Sequence, residues 1–219
     1  MNTLHTFGCS YTAFYETSSN RPDFIKYKEY KGGKYPKIWP ELLSEKLNLR
    51  LNNPADGGSS NYDIFQSLCD NVDKFQKGDV IIVGWSYKER FRLVSYSDRM
   101  FRKVGPNFDI GHLDNITANT VEEILFNRCH STWVEEIRSW EKIIKKLCAS
   151  LEIQVLFWSF DPDIGEKNFK YRLVKLGAET IAIETKGKIN DHHLGEQGHR
   201  VQCNHLLYLL NKLTNKELI

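Results

Sequence analysis

No stretch of this 219-residue chain approaches the roughly 20 consecutive apolar residues that a membrane-spanning helix needs. Its first residues, MNTLHTFGCS, lack a basic region followed by a long apolar block, so no secretory leader is expected and the chain reads as cytoplasmic. A surplus of one charge is missing too. Thirty basic residues face 28 acidic ones, a formal net charge of +2. That balance makes neither nucleic acid nor a membrane an obligatory partner. The Lys- and Tyr-rich run from Arg21 to Lys37 is more readily a solvated loop than a phosphate track. The five cysteines, Cys9, Cys69, Cys129, Cys148 and Cys203, are odd in number and form no C-x-x-C pair. Neither a disulfide framework nor a cysteine zinc site follows, and reduced, mostly buried thiols are expected. The chain has no internal repeat and no low-complexity tract.

What is present suits one globular domain over residues 1–219: 41% hydrophobic and 26% charged residues, in proportions that build an ordinary buried core. Short apolar runs alternate with helical patterns. Strands are predicted at Thr3 to Phe7, Arg50 to Asn53, Asp79 to Gly84, Gln154 to Phe160 and Thr180 to Ile183. The run DVIIVG is continuous rather than alternating, as in a parallel strand covered on both faces. Helices are predicted at Trp39 to Leu47, with Pro40 in the first turn, at Asn61 to Phe75, and at Glu196 to Leu213. Another begins at Thr120, where Thr120-Val121-Glu122-Glu123 forms a capping box, and carries the stripe Trp133, Ile137, Trp140, Ile144 and Leu147. Such alternation predicts an α/β fold, a parallel sheet with helices on both faces. Two long polar-aromatic insertions, about 11–38 and 86–119, follow predicted strands. They should emerge at the carboxyl edge of the sheet, where open α/β folds bind ligands, as walls or a lid.

Four segments bear chemistry at that edge, and each also has a plain structural reading. Phe7-Gly8-Cys9-Ser10-Tyr11-Thr12 places a Ser hydroxyl just beyond the first strand, or is simply a turn. Asp191-His192-His193 precedes the last helix. There a His can deprotonate a Ser hydroxyl when a carboxylate fixes its tautomer, or the segment is a capping loop. Asn53-Pro54-Ala55-Asp56-Gly57-Gly58-Ser59-Ser60-Asn61 can expose backbone N–H groups to a ligand while Ser60 or Asn61 caps a helix. Gly84-Trp85-Ser86-Tyr87, with Arg90 beyond it, sets polar groups after the strongest strand or merely starts a loop.

Together, and in this order, the segments resemble the blocks of SGNH (GDSL-like) hydrolases over residues 3 to 213. Gly8-Cys9-Ser10 is similar to the G-D-S block, Gly58 to the oxyanion glycine, and Gly84-Trp85-Ser86-Tyr87 to G-x-N-D in its Gly and location. Asp191 and His193 match the final Asp–His block, and Leu194-Gly195-Glu196-Gln197-Gly198-His199-Arg200 looks like the family's entry to the last helix. Trp39-Pro40-Glu41-Leu42-Leu43 looks like its first helix. The F-G-C-S-Y-T form also resembles variants encoded by tailed bacteriophages, which would place the chain in a host cytoplasm.

The resemblance implies a three-layer α/β/α flavodoxin-like fold and a serine hydrolase acting on an ester bond without a cofactor or metal. Ser10 would be nucleophile, His193 the base and Asp191 its orienting acid. Ser10, Gly58 and Ser86 would hold the oxyanion, complemented by Asn61 or Arg90. Tyr11, Trp85, Tyr87 and Trp158 could stack on a carbohydrate or nucleotide ester or another small-molecule ester, or be ordinary buried aromatics. The chain departs from the family at Cys9, in place of Asp, and at Ser86, in place of an Asn whose amide reaches further. Those departures leave open a binding module that has lost activity. An acyltransferase with the same triad, a metal site from His192, His193, His199 and Asp191, and Cys9 as nucleophile are the remaining alternatives.

Overall fold

The computed structural model describes residues 1–18, 21–88, 90–94, 101–104, 119–120, 130–164 and 169–216. A central sheet contains β1 (Thr3–Gly8), β2 (Arg50–Asn52), β3 (Val80–Trp85) and β6 (Gln154–Ser159), all parallel, in the order β2-β1-β3-β6. Every residue of β1 and β3 is buried: β3 carries the continuous apolar run, while β1 buries the polar Thr3, His5 and Thr6 along with Leu4 and Phe7. Period-2 alternation then divides the side chains. Leu4, Val80 and Ile82 face one side with α2 (Trp39–Leu47), α5 (Phe169–Lys175) and α7 (Glu196–Lys216). Phe7, Ile81, Val83 and Trp85 face the other with α3 (Asn61–Cys69) and α4 (His130–Ser150). The result is a three-layer α/β/α arrangement. None of its described helices is long and apolar enough to cross a membrane.

The strand order also locates the functional edge. From β1 the chain goes outward to β2, then returns past β1 to β3. The crossovers therefore diverge between β1 and β3 and leave a crevice beyond their carboxyl ends. Gly8 and Gly84 stand in register at that point.

Several elements differ from the sequence expectation for identifiable reasons. The insertion at 11–38 is not all loop: it carries α1 (Pro22–Tyr30), started by a Pro in its first turn. Phe24 and Tyr27 of α1 join Tyr15, Ile38, Ile181 and Ile189 in a third apolar cluster. Thr180 to Ile183 is a short helix, α6 (Ile181–Glu184), rather than a strand. The Thr180 hydroxyl caps it by accepting the Ile183 N–H at 3.4 Å, so a β-branched run is recruited as a helix start. α3 stops at Cys69, and only a single 3-10 turn, Val72–Lys74, continues it. Within 86–119 the described residues include a two-stranded antiparallel ribbon, β4 (Phe91–Val94) with β5 (Phe101–Val104). Residues 121–129, which follow the expected cap at Thr120, lie outside the described residues. The stripe after them is found as expected, with Trp133, Ile137 and Ile144 buried.

At the opposite edge, His5 in β1 is buried beside Asp79. Its Nε2 lies 3.1 Å from the carboxylate, and the Asn52 amide reaches its Nδ1 at 2.9 Å. With an amide donor on Nδ1, the ring proton belongs on Nε2. Burial lowers the pKa of His5, and the Asp79 bond only partly opposes that, so the ring stays neutral.

The narrow point of the fold is Gly84. A Cβ there would meet Trp158 Cζ2 at 2.5 Å and Cε2 at 2.7 Å, inside a buried and rigid ring system. Gly84→Ala is expected to destabilise the protein by about 1–3 kcal/mol through overpacking. Urea unfolding measures this, and an unchanged midpoint would show that the Trp158 ring moves aside freely.

Candidate active site

β1 ends at Gly8 and the chain turns at once. The Cys9 carbonyl accepts the N–H groups of Thr12 and Ala13 at 2.8 and 3.0 Å, and the turn carries Ser10 at the carboxyl edge. Asn53, just past β2, braces it. Its amide donates to the Thr12 carbonyl at 2.9 Å while its oxygen accepts the Thr6 hydroxyl at 2.9 Å. The Asp56 N–H bonds the Gly8 carbonyl at 3.3 Å, which brings the Gly58 loop alongside. Gly58 adopts φ +75°, a conformation that favours glycine. Among the described residues, the backbone N–H groups of Ser10 and Gly58 have no hydrogen-bond acceptor.

Asp191 and His193 arrive from the far end of the chain, anchored by α6. The first N–H groups of a helix have no partner within it. Here those of Ile181 and Ala182 donate to the carbonyls of His193 and Asp191 at 2.8 and 2.9 Å. The side chains then meet Ser10: its Oγ lies 2.8 Å from His193 Nε2, and His193 Nδ1 lies 2.7 Å from Asp191 Oδ1. The same carboxylate oxygen accepts the His193 backbone N–H at 2.7 Å, and the other accepts Arg21 Nη2 at 3.2 Å.

Asp191 is only 3% exposed. Burial alone raises a carboxyl pKa. Its hydrogen bonds and charge interaction with His193, with Arg21 added, outweigh that and hold it below the usual carboxylate range. An ionised carboxylate only accepts, so the His193 proton belongs on Nδ1 and Nε2 presents a lone pair. Two donors face that lone pair, the Ser10 hydroxyl and, at 3.4 Å, Arg21 Nη1. Tyr11 stacks on the imidazole at 4.8 Å, and Phe24 meets it nearly edge-on at 5.3 Å.

Arg21 and Phe24 were not marked by the sequence. They lie at the start of α1, in the segment expected as solvated loop, and the Arg21-Pro22 pair signals only a helix start. α1 is fixed by polar contacts. Lys31 Nζ pairs with Glu184 and Glu196 at 2.6 Å each, and the Tyr27 hydroxyl donates to Glu184 at 3.0 Å.

The other expected site residues divide. Ser86 is buried, with its N–H on Asn61 Oδ1 at 2.7 Å and its hydroxyl without a hydrogen-bond partner among the described residues. Asn61 uses its amide on the carbonyls of Ser86 and Tyr87, at 3.3 Å each, so it braces that loop instead of offering donors to a ligand. Tyr11, Tyr87 and Arg90 line a cavity of about 870 Å³ together with His192. Trp85 is not part of it. As the last residue of β3 it points into the core under α4, stacks on Phe157 and donates its indole N–H to Glu141 at 2.9 Å. Trp158 is likewise a core residue, and Cys9 is buried.

His199 is structural. Its Nδ1 accepts the Trp39 N–H at 3.3 Å, and its Nε2 contacts the Tyr15 hydroxyl at 3.1 Å, which itself donates to the Leu194 carbonyl at 2.8 Å. It could join an ion beside His192 and His193 only by breaking both contacts. Among the described residues no group of three or more His, Cys, Asp or Glu side chains is placed to hold a metal.

No protein-family model matches the chain, and no curated protein matches it. Among solved structures it is similar to an acetyl xylan esterase, Est2A, from the rumen bacterium Butyrivibrio proteoclasticus, with TM-score 0.47 and 12% identity over 97% of this chain. The chain spans 64% of that esterase's length. A G-D-S-L family protein from Desulfitobacterium hafniense DCB-2 gives TM-score 0.33 and 11% identity over 94% of this chain and 98% of the other. A de novo designed Rossmann fold protein gives 0.24 and 12%, over 80% and 95%.

The latch at His199 has a pH signature. Burial first, and the neighbouring His193 second, push its pKa down to about 3. In the unfolded chain it titrates near about 6.5. Between those values the unfolded state binds the extra proton, so stability is full above about 6.5 and declines as pH falls toward the folded value. A slope approaching about 1.4 kcal/mol per pH unit is expected from this group. Urea unfolding between about pH 6.5 and 5 should show it flattened in His199→Gln. An equal slope in the variant would assign the loss to other groups.

Proposed function

We propose that the protein is an SGNH-type serine hydrolase of ester bonds, with Ser10, His193 and Asp191 as its catalytic triad. The observation that carries this reading is the unbroken line from Ser10 Oγ through the His193 ring to the buried Asp191 carboxylate, at 2.8 and 2.7 Å. Its position beyond β1 and β3, where α/β sheets bind ligands, supports it further.

The reaction starts with Ser10 Oγ attacking the ester carbonyl carbon while His193 Nε2 takes the hydroxyl proton. Asp191 keeps the ring in the required tautomer and stabilises the imidazolium. The carbonyl oxygen becomes an oxyanion, received by the free N–H groups of Ser10 and Gly58 and by the unpartnered Ser86 hydroxyl. Collapse breaks the bond to the alcohol, which leaves with the proton from His193. Water, deprotonated by His193, then releases the acyl group and regenerates Ser10. A non-water acceptor would use the same machinery for acyl transfer.

A fluorophosphonate probe tests the nucleophile directly. It should label the protein covalently, with the adduct on Ser10 by mass spectrometry, and fail to label Ser10→Ala. On a chromogenic acetate ester, Ser10→Ala and His193→Ala should each lower kcat by about 10³-fold or more. No labelling of the folded wild-type protein, combined with tight binding of a metabolite, would replace this reading with that of a binding module.

The Ser86 hydroxyl supplies a separate test. Ser86→Ala should lower kcat by about 10²-fold, the effect of losing one oxyanion donor, with KM little changed. Unchanged turnover would leave the oxyanion to the two backbone N–H groups alone.

A further inference from the structure

The cavity of about 870 Å³ opens beside the Ser10–His193 pair: Tyr11 follows Ser10 and stacks on His193, and His192 and Leu194 flank His193 in the chain. Its lining combines two chemistries. Tyr11, Tyr87 and Phe160 supply aromatic faces, with Tyr11 edge-on to Phe160 at 4.6 Å. Arg90, Lys170 and His192 supply basic groups, and no Asp or Glu lines the cavity among the described residues.

Arg90 is the informative member. Its Nη1 is buried without a hydrogen-bond partner among the described residues, and the guanidinium lies 5.7 Å from the Tyr87 ring centroid. A permanent cation with a buried unused donor, at the wall of a cavity, is arranged to receive an acceptor from outside the chain. Asp161, which lines an adjoining cavity with Tyr87, Phe160 and Lys170, is already engaged by Lys88. It accepts the Lys88 backbone N–H at 3.1 Å and lies 3.5 Å from Nζ. Lys170 is exposed and has no carboxylate partner among the described residues.

We infer that the ester acted on carries an anionic group, a carboxylate or phosphate joined to a flat or ring-shaped part, seated between Arg90 and Lys170. This rests on the hydrolase reading of Ser10 and names its substrate class. The aromatic faces take the ring, the cations take the charge, and the scissile carbonyl is left over Ser10.

The test separates binding from chemistry. In the full-length Ser10→Ala protein, calorimetry compares benzoate, phenyl phosphate and benzyl alcohol, probes that share a ring and differ in charge. At low ionic strength at least one anion should bind about tenfold or more tightly than the alcohol, and lose that advantage in about 0.5 M salt. The better anion identifies carboxylate or phosphate as the source. Arg90→Gln should bring anion affinity down toward that of the alcohol, and Arg90→Lys should recover part of it. Lys170→Glu, a charge reversal at an exposed position, should weaken anion binding without threatening the fold. Anions that bind no tighter than benzyl alcohol, or with affinity unmoved by both Arg90→Gln and Lys170→Glu, overturn the proposal. If the anions bind as expected but fluorophosphonate leaves Ser10 unmodified, the anion site stands and the hydrolase reading fails. The converse pair of results sinks the anion site alone.

Discussion

A carboxylate that is 3% exposed must be surrounded by donors, and the requirements of Asp191 shape the whole carboxyl edge. Two donors are local. The backbone N–H and Nδ1 of His193 both reach Oδ1, which forces the Asp-x-His segment into one tight extended turn. The third is distant. Oδ2 is satisfied by Arg21, some 170 residues away in sequence, so the segment before α1 must return across the edge to supply it. Leaving one such lone pair uncompensated would cost about 1–3 kcal/mol, more than a surface contact could offset.

That demand explains why α1 is latched by directional polar bonds as well as by apolar packing. The cluster of Tyr15, Phe24, Tyr27, Ile181 and Ile189 keeps the helix on the surface, but an apolar patch tolerates sliding. Lys31 between Glu184 and Glu196, and Tyr27 on Glu184, set its position along the chain's last loop. Glu184 also accepts the Glu196 N–H at 2.8 Å, so α6, α1 and the first turn of α7 share one carboxylate. His199, Tyr15 and Leu194 form a second relay across the same junction. These bonds tie α1 to α6 and to the start of α7, on either side of Asp191 and His193 in the chain.

The parts legible in sequence were those set by local chemistry. A continuous apolar run marks β3 because burial on both faces leaves no polar alternation, and Ser60 marks the start of α3 through its own capping bond. Ser10 lies just past a strand end, and Asp191 and His193 could be grouped with it because the ordered segments resemble the blocks of one family and the imidazole follows the acid by two residues. What was not legible depended on partners far away. Arg21 reads as one more base in a Lys-rich loop until Asp191 is opposite it. Asn61 reads as a ligand donor until the carbonyls of Ser86 and Tyr87 claim its amide. Trp85 failed for a simpler reason: at the last position of a strand, parity decides between core and crevice, and parity sends it to the core with Val83 and Ile81. Thr180 to Ile183 failed because β-branched composition cannot distinguish a strand from a short capped helix.

Charge arithmetic links the latch to the chemistry. With a neutral imidazole, Arg21 and Asp191 cancel, and the group around His193 carries no net charge. When the proposed attack protonates His193, the oxyanion formed at the same step cancels the new positive charge. The polar centre is therefore balanced both before and during the reaction, provided the substrate itself is neutral. Arg21 is committed to this balance through its bond to Asp191 and cannot also neutralise a charged substrate. A substrate with its own negative charge needs a further cation, outside the Arg21–Asp191–His193 group yet beside it. Arg90, whose buried Nη1 has no acceptor among the described residues, and Lys170, which has no carboxylate partner among them, are the cations proposed for that role, in a cavity whose described lining offers no carboxylate to compete for them.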